Sequence, residues 1–261
     1  MTDVPFLDRL RDSTFLNSVD FFPTLESTNT WAIDHAFVRQ DGLPALIWAG
    51  EQTSGRGRGS NRWHSSRGAL TFSIAVRSQR AARAAEDLPK IALLAGLAVQ
   101  AAIQPMVAEE DVTVKWPNDV YISDRKVAGI LVETPKTTAA DAVIGIGINV
   151  HNEFSHAPED VQRRAISLRD VLPQPTSMEQ VLFETVCEFG RQWNEFESGQ
   201  WNLTRRWSDV CYLNGKKIYV QSGPRRQEGI VRGIAADGAL QLESKPGRIQ
   251  RVYAGQVTVI E

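Results

Sequence analysis

Two apolar runs, PALIWAGEQ and ALTFSIAV, each read as a buried strand, and the fifteen residues SGRGRGSNRWHSSRG, Ser54 to Gly68, join them. That joint holds four Gly, four Arg and one Trp and has no apolar periodicity, so it is a loop that any fold must place between two core strands. Nucleic acid, a phosphate or a plain turn could each explain it. A net charge of −2 over 261 residues supplies no global field to draw in nucleic acid. Closely spaced glycines permit positive φ and let backbone N–H groups approach an anion. Arg56 and Arg58 alternate with Gly55, Gly57 and Gly59, and a guanidinium suits carboxylate and phosphate oxygens. The string is no P-loop, because GxxxxGK[ST] is absent. Taken alone, a solvated surface turn is its commoner reading.

The rest of the chain alternates helices with runs of strands. VPFLDRL reads as a short helix, SVDFFPTLE as extended, and STNTWAIDHAF as a helix capped by Ser27. An apolar helix covers Ile91 to Ile103, followed by three strand-like runs, VTVKWPNDVYI, RKVAGILVET and AVIGIGINV, with turns at Pro117–Asp119 and Ser123–Asp124. HNEFSHAPEDVQRRA reads as a polar surface loop, and two helices separated at Gly199 come next. Trp193, Phe196, Trp201 and Trp207 in that stretch read as packing residues. After Tyr212 the chain turns into short strands, which predicts a small all-β barrel. The sum is an α+β fold, a mixed β-sheet packed against helices, with residues 1–211 as the main domain and 212–261 as the barrel. No apolar run comes near the ~20 residues of a membrane span. Asp and Arg stand where a signal peptide needs an apolar core, and two cysteines form neither a disulfide framework nor a zinc set. A cytoplasmic protein with no membrane partner is expected.

Four stretches could carry chemistry. The glycine-arginine loop is the first. In VKWPND, Pro117 and Asn118 make a tight turn that presents Lys115, Trp116 and Asn118 at a strand end, and the Asn118 amide could read an adenine edge; an ordinary hairpin turn is the plain alternative. In RKVAGILVE, Lys126 stands at the rim of a buried strand, where Ala128 and Gly129 leave room beside the backbone; strand-end solubility is the plain alternative there. In GIGINV the glycines suit close approach and Asn149 ends the strand, but no helix follows to complete a dinucleotide fingerprint.

The order and spacing of ESTN, EQTSGRGRG, KWPND, KVAGILVE and GIGINV resemble the biotin protein ligases across about residues 18 to 261. KWPND followed closely by KVAGILVE is the most discriminating part. The resemblance implies a catalytic domain of class II synthetase type with an SH3-like C-terminal β-barrel. It implies that biotin and ATP form biotinyl-5′-AMP and that the biotinyl group passes to a lysine on a biotin carboxyl carrier domain of a carboxylase. By the same resemblance Ser27, Thr28, Asn29 and Gln52 meet biotin. Gly55, Arg56, Gly57 and Arg58 form a loop that folds over it. Lys126, beside Gly129, lies at the reacting carboxylate and α-phosphate. Lys115, Asn118 and Asn149 serve the nucleotide, and Trp63 closes the loop on the adenine side. Lys126, Arg58 and Lys115 are the expected catalytic residues. Magnesium is expected with ATP, but no residue cluster here could hold it alone. Residues 1–17 are too few for the winged helix-turn-helix of bifunctional members, so no nucleic-acid partner is expected. Monomers and sheet-edge homodimers both occur in such a family. A lipoate ligase or lipoyl transferase shares the fold and is the rival enzyme; a non-catalytic biotin or nucleotide-binding module is the rival of another class.

Overall fold

The structure, a computed structural model, describes residues 4–38, 42–79, 84–107, 110–135 and 140–260. In chain order come α1 (Val4–Ser13), β1 (Ser18–Leu25), α2 (Thr28–His35), β2 (Ala45–Gln52), β3 (Ala69–Arg77), α3 (Ala84–Ile103), β4 (Val112–Lys115), β5 (Asp119–Ile122), β6 (Arg125–Glu133) and β7 (Asp141–Asn149). Then follow α4 (Glu159–Arg164), α5 (Met178–Glu197), α6 (Leu203–Ser208), β8 (Lys217–Ser222), β9 (Arg225–Ile234), β10 (Leu240–Lys245), β11 (Arg248–Val252) and β12 (Gln256–Val259).

Among the described residues, seven strands form one sheet in the order β1-β2-β3-β7-β6-β5-β4. Only β1 and β2 run parallel, joined across α2; the other neighbours are antiparallel. Period-two patterning decides its faces. Leu70, Phe72 and Ile74 of β3 and Ile144, Ile146 and Ile148 of β7 enter the core beneath α3 and α5. The opposite face carries Thr71, Ser73, Gly145 and Gly147 in matching register. There α2 and the residue that caps its end cover one end of the face through Ala32 and Ala36, which pack on Ile47, Ala75 and Val143; the other end stays open for a site. Asp87–Met106 is long and apolar enough by composition to cross a bilayer, which the sequence reading did not anticipate. Its share of the core between sheet and α5 accounts for that composition.

The predicted turns are present. Ser123 and Asp124 both have positive φ (48° and 62°), the two-residue hairpin geometry that matches strand twist. The stretch expected to be polar loop after Asn149 contains α4, whose acidic first turn and basic last turn suit the helix dipole.

The C-terminal strands make a five-stranded antiparallel sheet, β11-β10-β9-β8-β12. It is not the closed barrel expected, because β11 and β12 form its two unpaired edges. The chain from Val252 to Gln256 reaches ~14 Å at most, whereas a flat sheet of this width would hold its edges ~19 Å apart. The sheet therefore rolls toward closure, in keeping with an SH3-like module. It is joined firmly to the first sheet. Val210–Tyr212 runs along β4 and covers that edge, Val114 N–H donating to Val210 O at 2.7 Å and Tyr212 N–H to Val114 O at 3.0 Å. Leu93, Leu97, Val114 and Trp116 share one apolar cluster with Trp207, Ile218, Val231 and Leu240.

Trp116 is 2% exposed, and its indole N–H donates to Gly238 O at 3.1 Å. Trp116→Ala should cost ~3–5 kcal/mol of unfolding free energy. Trp116→Phe, which keeps most of the ring but orphans the carbonyl, should cost ~1–3 kcal/mol. Urea denaturation of the two variants checks both the sizes and their order.

Candidate active site

On the open face of the large sheet lies a cavity of about 480 Å³, a size that holds a drug-sized ligand. Its floor is made by missing side chains. Gly129 and Gly147 are register partners, and Gly145 lies one pleat away. A Cβ at Gly147 would stand 2.3 Å from the Trp63 indole, one at Gly145 2.3 Å from Asn29 Oδ1, and one at Gly129 2.9 Å from Lys126 Nζ. Each glycine admits one long side chain onto the sheet. The Trp63 ring therefore lies on the Gly147–Gly129 floor, with Lys126 Nζ 5.8 Å from the ring centre. Its buried indole N–H has no hydrogen-bond partner among the described residues.

A chain of hydrogen bonds forms one wall. Ser27 caps α2 and accepts from Thr30 N–H, which fixes Thr28 and Asn29 in the helix's first turn. Gln52 Oε1 accepts from Thr28 N–H at 2.7 Å, so the Gln52 amide nitrogen points elsewhere. Ser73 Oγ lies 2.7 Å from Thr28 Oγ1 and 2.6 Å from Asn29 Oδ1. Asn29 Oδ1 can only accept, so Ser73 donates to it and can accept from Thr28. Asn29 Nδ2 donates to Glu133 Oε2 at 2.8 Å, and the same oxygen takes Arg56 Nη2 at 2.5 Å. The wall thus runs from Gln52, the last residue of β2, to Arg56 in the loop that follows it.

Cations gather at the other end. The ladder between β5 and β6 slips between Val120 and Tyr121, so that Val120 faces Ala128 but Tyr121 faces Lys126. This bulge sends both Val127 and Ala128 into the core and turns Lys126 to the cavity side with Asp119 and Tyr121. Lys126 Nζ sits 2.6 Å from Asp119 Oδ1; that oxygen has close charge contact but no aligned hydrogen bond. Lys115 points at the ring and hydroxyl of Tyr121, Nζ to Oη 3.3 Å, and Tyr121 stacks on Tyr212 at 4.9 Å between centroids. Burial is the main cause that lowers the Lys115 pKa; Asp119 opposes it, and Lys126, Lys216 and Arg164 add to it. Burial also raises Tyr121 and pushes Tyr212 up to about 12. Arg58, lowered chiefly by burial, donates to the carbonyl of Gly255 in the C-terminal sheet's last turn.

Every site residue expected from sequence lines this cavity except Gly55. Gly55 lies behind it, where a Cβ would meet Trp63 O at 2.6 Å, and it accepts the Trp63 N–H at 3.1 Å. The two asparagines expected to serve the nucleotide both line the cavity and also bond to backbone. Asn118 Nδ2 donates to Ile130 O at 2.6 Å. Asn149 Nδ2 donates to Lys126 O at 3.3 Å, while its Oδ1 accepts from Asn152 at 3.1 Å. Both amides brace the backbone. Sequence reasoning missed Ser73, Glu133, Tyr121 and Arg164. Ser73 had a readable signal, since Thr71 and Ser73 alternate with apolar residues in ALTFSIAV.

Residues 21–149 match the biotin/lipoate A/B protein ligase family. The bifunctional ligase/repressor BirA of Escherichia coli (strain K12) is 32% identical over 251 residues, covering 93% of this chain and 74% of that protein. The chain belongs to this family. The resemblance read from KWPND and KVAGILVE is thereby borne out. A biotin–[acetyl-CoA-carboxylase] ligase of Paracoccus denitrificans is 29% identical over 89% of this chain and 96% of its own length. A biotin protein ligase of Aquifex aeolicus, solved with biotin and ATP, shares the fold with a TM-score of 0.79 at 24% identity, covering 93% of this chain and 98% of that one.

Lys115 is a cation held against its own preference. Its lowered pKa means that its destabilising effect is full below the folded-state value and fades as pH rises toward that of an ordinary lysine. Lys115→Met should therefore raise the thermal midpoint at pH 7 by roughly 2–4 °C, and the gap to wild type should shrink at alkaline pH. Thermal melts from pH 7 to 10 in phosphate-free buffer measure both.

Proposed function

We propose that this chain is an ATP-dependent biotin protein ligase that makes biotinyl-5′-AMP and transfers the biotinyl group to a lysine of a biotin carboxyl carrier domain. One observation carries the reading beyond family membership: a single cavity joins an amide-and-hydroxyl wall to a cation cluster across a glycine floor. The first matches a neutral polar ring with a carboxylate tail, the second a triphosphate. Thr28, Asn29 and Gln52 take the ring end of biotin, with Ser27 and Ser73 fixing their directions. The tail takes the floor at Gly129 once the Trp63 ring lifts off it, and its carboxylate reaches Lys126. Arg56, Gly57 and Arg58 close over it.

A biotin carboxylate oxygen forms a bond to the α-phosphorus while the α,β-bridging P–O bond breaks, and pyrophosphate leaves with that electron pair. The attacking carboxylate is ionised near pH 7 and needs no base. Two anions must meet, so Lys126 and Arg58 offset their repulsion and stabilise charge on the α-phosphoryl oxygens. Lys115 serves the phosphates from behind Lys126, while Asn118 and Asn149 act indirectly by holding the backbone that carries Lys126. In the second step the acceptor amine bonds to the acyl carbon, loses its proton, and AMP departs. Magnesium is expected to arrive with ATP; among the described residues no three His, Cys, Asp or Glu side chains come together, so the protein's own neutralising charge is that of lysines and arginines. Residues 1–211 would form the catalytic unit and 212–261 the accessory module, a division supported by the Cys211–Val114 bridge just before the second sheet.

ATP–pyrophosphate exchange with biotin and with lipoate tests the reading, and biotin-dependent exchange alone upholds it. Lys126→Ala should lower that exchange by at least ~10²–10³, with wild-type rates refuting the assignment. Arg58→Gly should release free biotinyl-adenylate faster, since both its guanidinium and its hold on Gly255 are lost. Adenylate retention measured by rapid filtration decides that point.

A further inference from the structure

Three of the six lysines and arginines that line the cavity are tied to a carboxylate or a backbone carbonyl. Arg56 is paired with Glu133, Arg58 with the Gly255 carbonyl and Lys126 with Asp119. Arg62 and Arg164 have no carboxylate within ion-pair distance among the described residues. Arg164 closes α4, in the stretch that reads as polar loop, and it lines the cavity. Its neighbour Arg163 pairs with Glu159 at 3.1 Å, but Asp160, one turn before Arg164, is not within pairing distance of it. Its position is pinned by the next residues: Ala165 bridges Lys126 in parallel register, and Ile166 N–H donates to Lys126 O at 3.0 Å. Of the two unpaired arginines, Arg164 is the one whose charge acts on Lys115. Arg164 is an exposed residue of the cavity lining; its backbone is held one residue from the Lys126 strand, and its guanidinium, with no counter-ion among the described residues, is free to turn onto a polyanion.

We propose that Arg164, together with Lys115, binds the β- and γ-phosphates of the nucleotide and the pyrophosphate released from them. The inference rests on the ligase reading and deepens it by assigning the leaving-group end of the cavity. The guanidinium gathers the charge that accumulates as the α,β bond opens, and its forked donors suit a diphosphate. It has no role once pyrophosphate has left, which separates it from residues that grip the adenylate or merely hold α4 in place.

Arg164→Gln, Arg164→Lys and a charge-matched control, Lys216→Gln, test this. Lys216 lies over the Tyr212 ring, outside the cavity. Three quantities are measured: KM for ATP in exchange, inhibition of adenylation by added pyrophosphate, and single-turnover transfer from preformed biotinyl-5′-AMP to a carrier domain. Arg164→Gln should raise KM for ATP and the pyrophosphate inhibition constant each by about tenfold. Transfer from preformed adenylate should stay within about twofold of wild type, Arg164→Lys should recover part of the loss, and Lys216→Gln should change KM for ATP by less than about threefold. An equal fall in transfer from preformed adenylate overturns the proposal in favour of a structural or adenylate contact. Unchanged ATP and pyrophosphate constants overturn it outright, and an equal effect from Lys216→Gln reduces it to a diffuse field. A wild-type chain without biotin-dependent exchange overturns the ligase reading and this proposal together; wild-type exchange with Arg164→Gln unaffected overturns this proposal alone.

Discussion

Val127 and Ala128 are consecutive residues of one strand, yet both point into the core beneath the large sheet. Strict alternation would put Lys126 on the same side as Ala128, among isoleucines and α3. The one-residue slip opposite Tyr121 moves it to the other face, beside Asp119 and Tyr121 and above Gly129. The remaining arrangement depends on that slip. The lysine needs Gly129 to lie flat, Trp63 needs Gly147 to lie beside it, and the loop that carries Trp63 is then close enough for Arg56 to reach Glu133. A bulge in the middle of a ladder leaves a residue unpaired and bends the strand. Its cost is met by the depth of burial of Val127 and Ala128, both fully inaccessible to solvent.

The cavity holds more positive charge than its own carboxylates neutralise. Lys126 and Asp119 form the one close cation–carboxylate contact at its centre, and Lys115 relies on a phenol and two aromatic faces. An aromatic ring attracts a cation without forming the ion pair that an anionic ligand would have to break. The tyrosine stack therefore suits a site that must tolerate an ammonium while empty and release it to phosphate when filled. Stability and chemistry oppose one another here: the features that lower the Lys115 pKa are the ones that make it a willing partner for an incoming anion.

Much of this was legible in the sequence, because it follows from residue type and period. GIGINV places isoleucines on one face and glycines on the other, KWPND marks a turn, and the glycine-arginine run can only be a loop. Function was legible because the motifs occur in one order. What escaped notice depends on register or on distant parts of the chain. No local pattern announces the slip at Val127, since KVAGILVE reads equally well as regular alternation. For Asn118 and Asn149, an amide at a strand end does not say which groups it bonds; only the structure shows their donors aimed at Ile130 and Lys126 carbonyls. α4 is a six-residue helix, too short to show an apolar period. The closed barrel was expected from strand count, and strand count does not say whether edge strands meet.

The C-terminal sheet is tied to the active site at two of its turns. Gly238, between β9 and β10, accepts from Trp116, the residue that leads into the Pro117 turn. Gly255, between β11 and β12, accepts from Arg58 in the glycine-arginine loop. Neither link uses a side chain of the small sheet, so sequence drift on its surface leaves both intact. Backbone geometry is what matters. Gly255 has a φ of 150°, and a Cβ there would stand 2.3 Å from a methyl of Val220; any other residue would push the turn off β8 and carry its carbonyl away from Arg58. The module's rolled shape thus has a mechanical use. It brings the β11–β12 turn back over the large sheet, where a carbonyl can hold the Arg58 guanidinium in place until a phosphate offers a stronger partner.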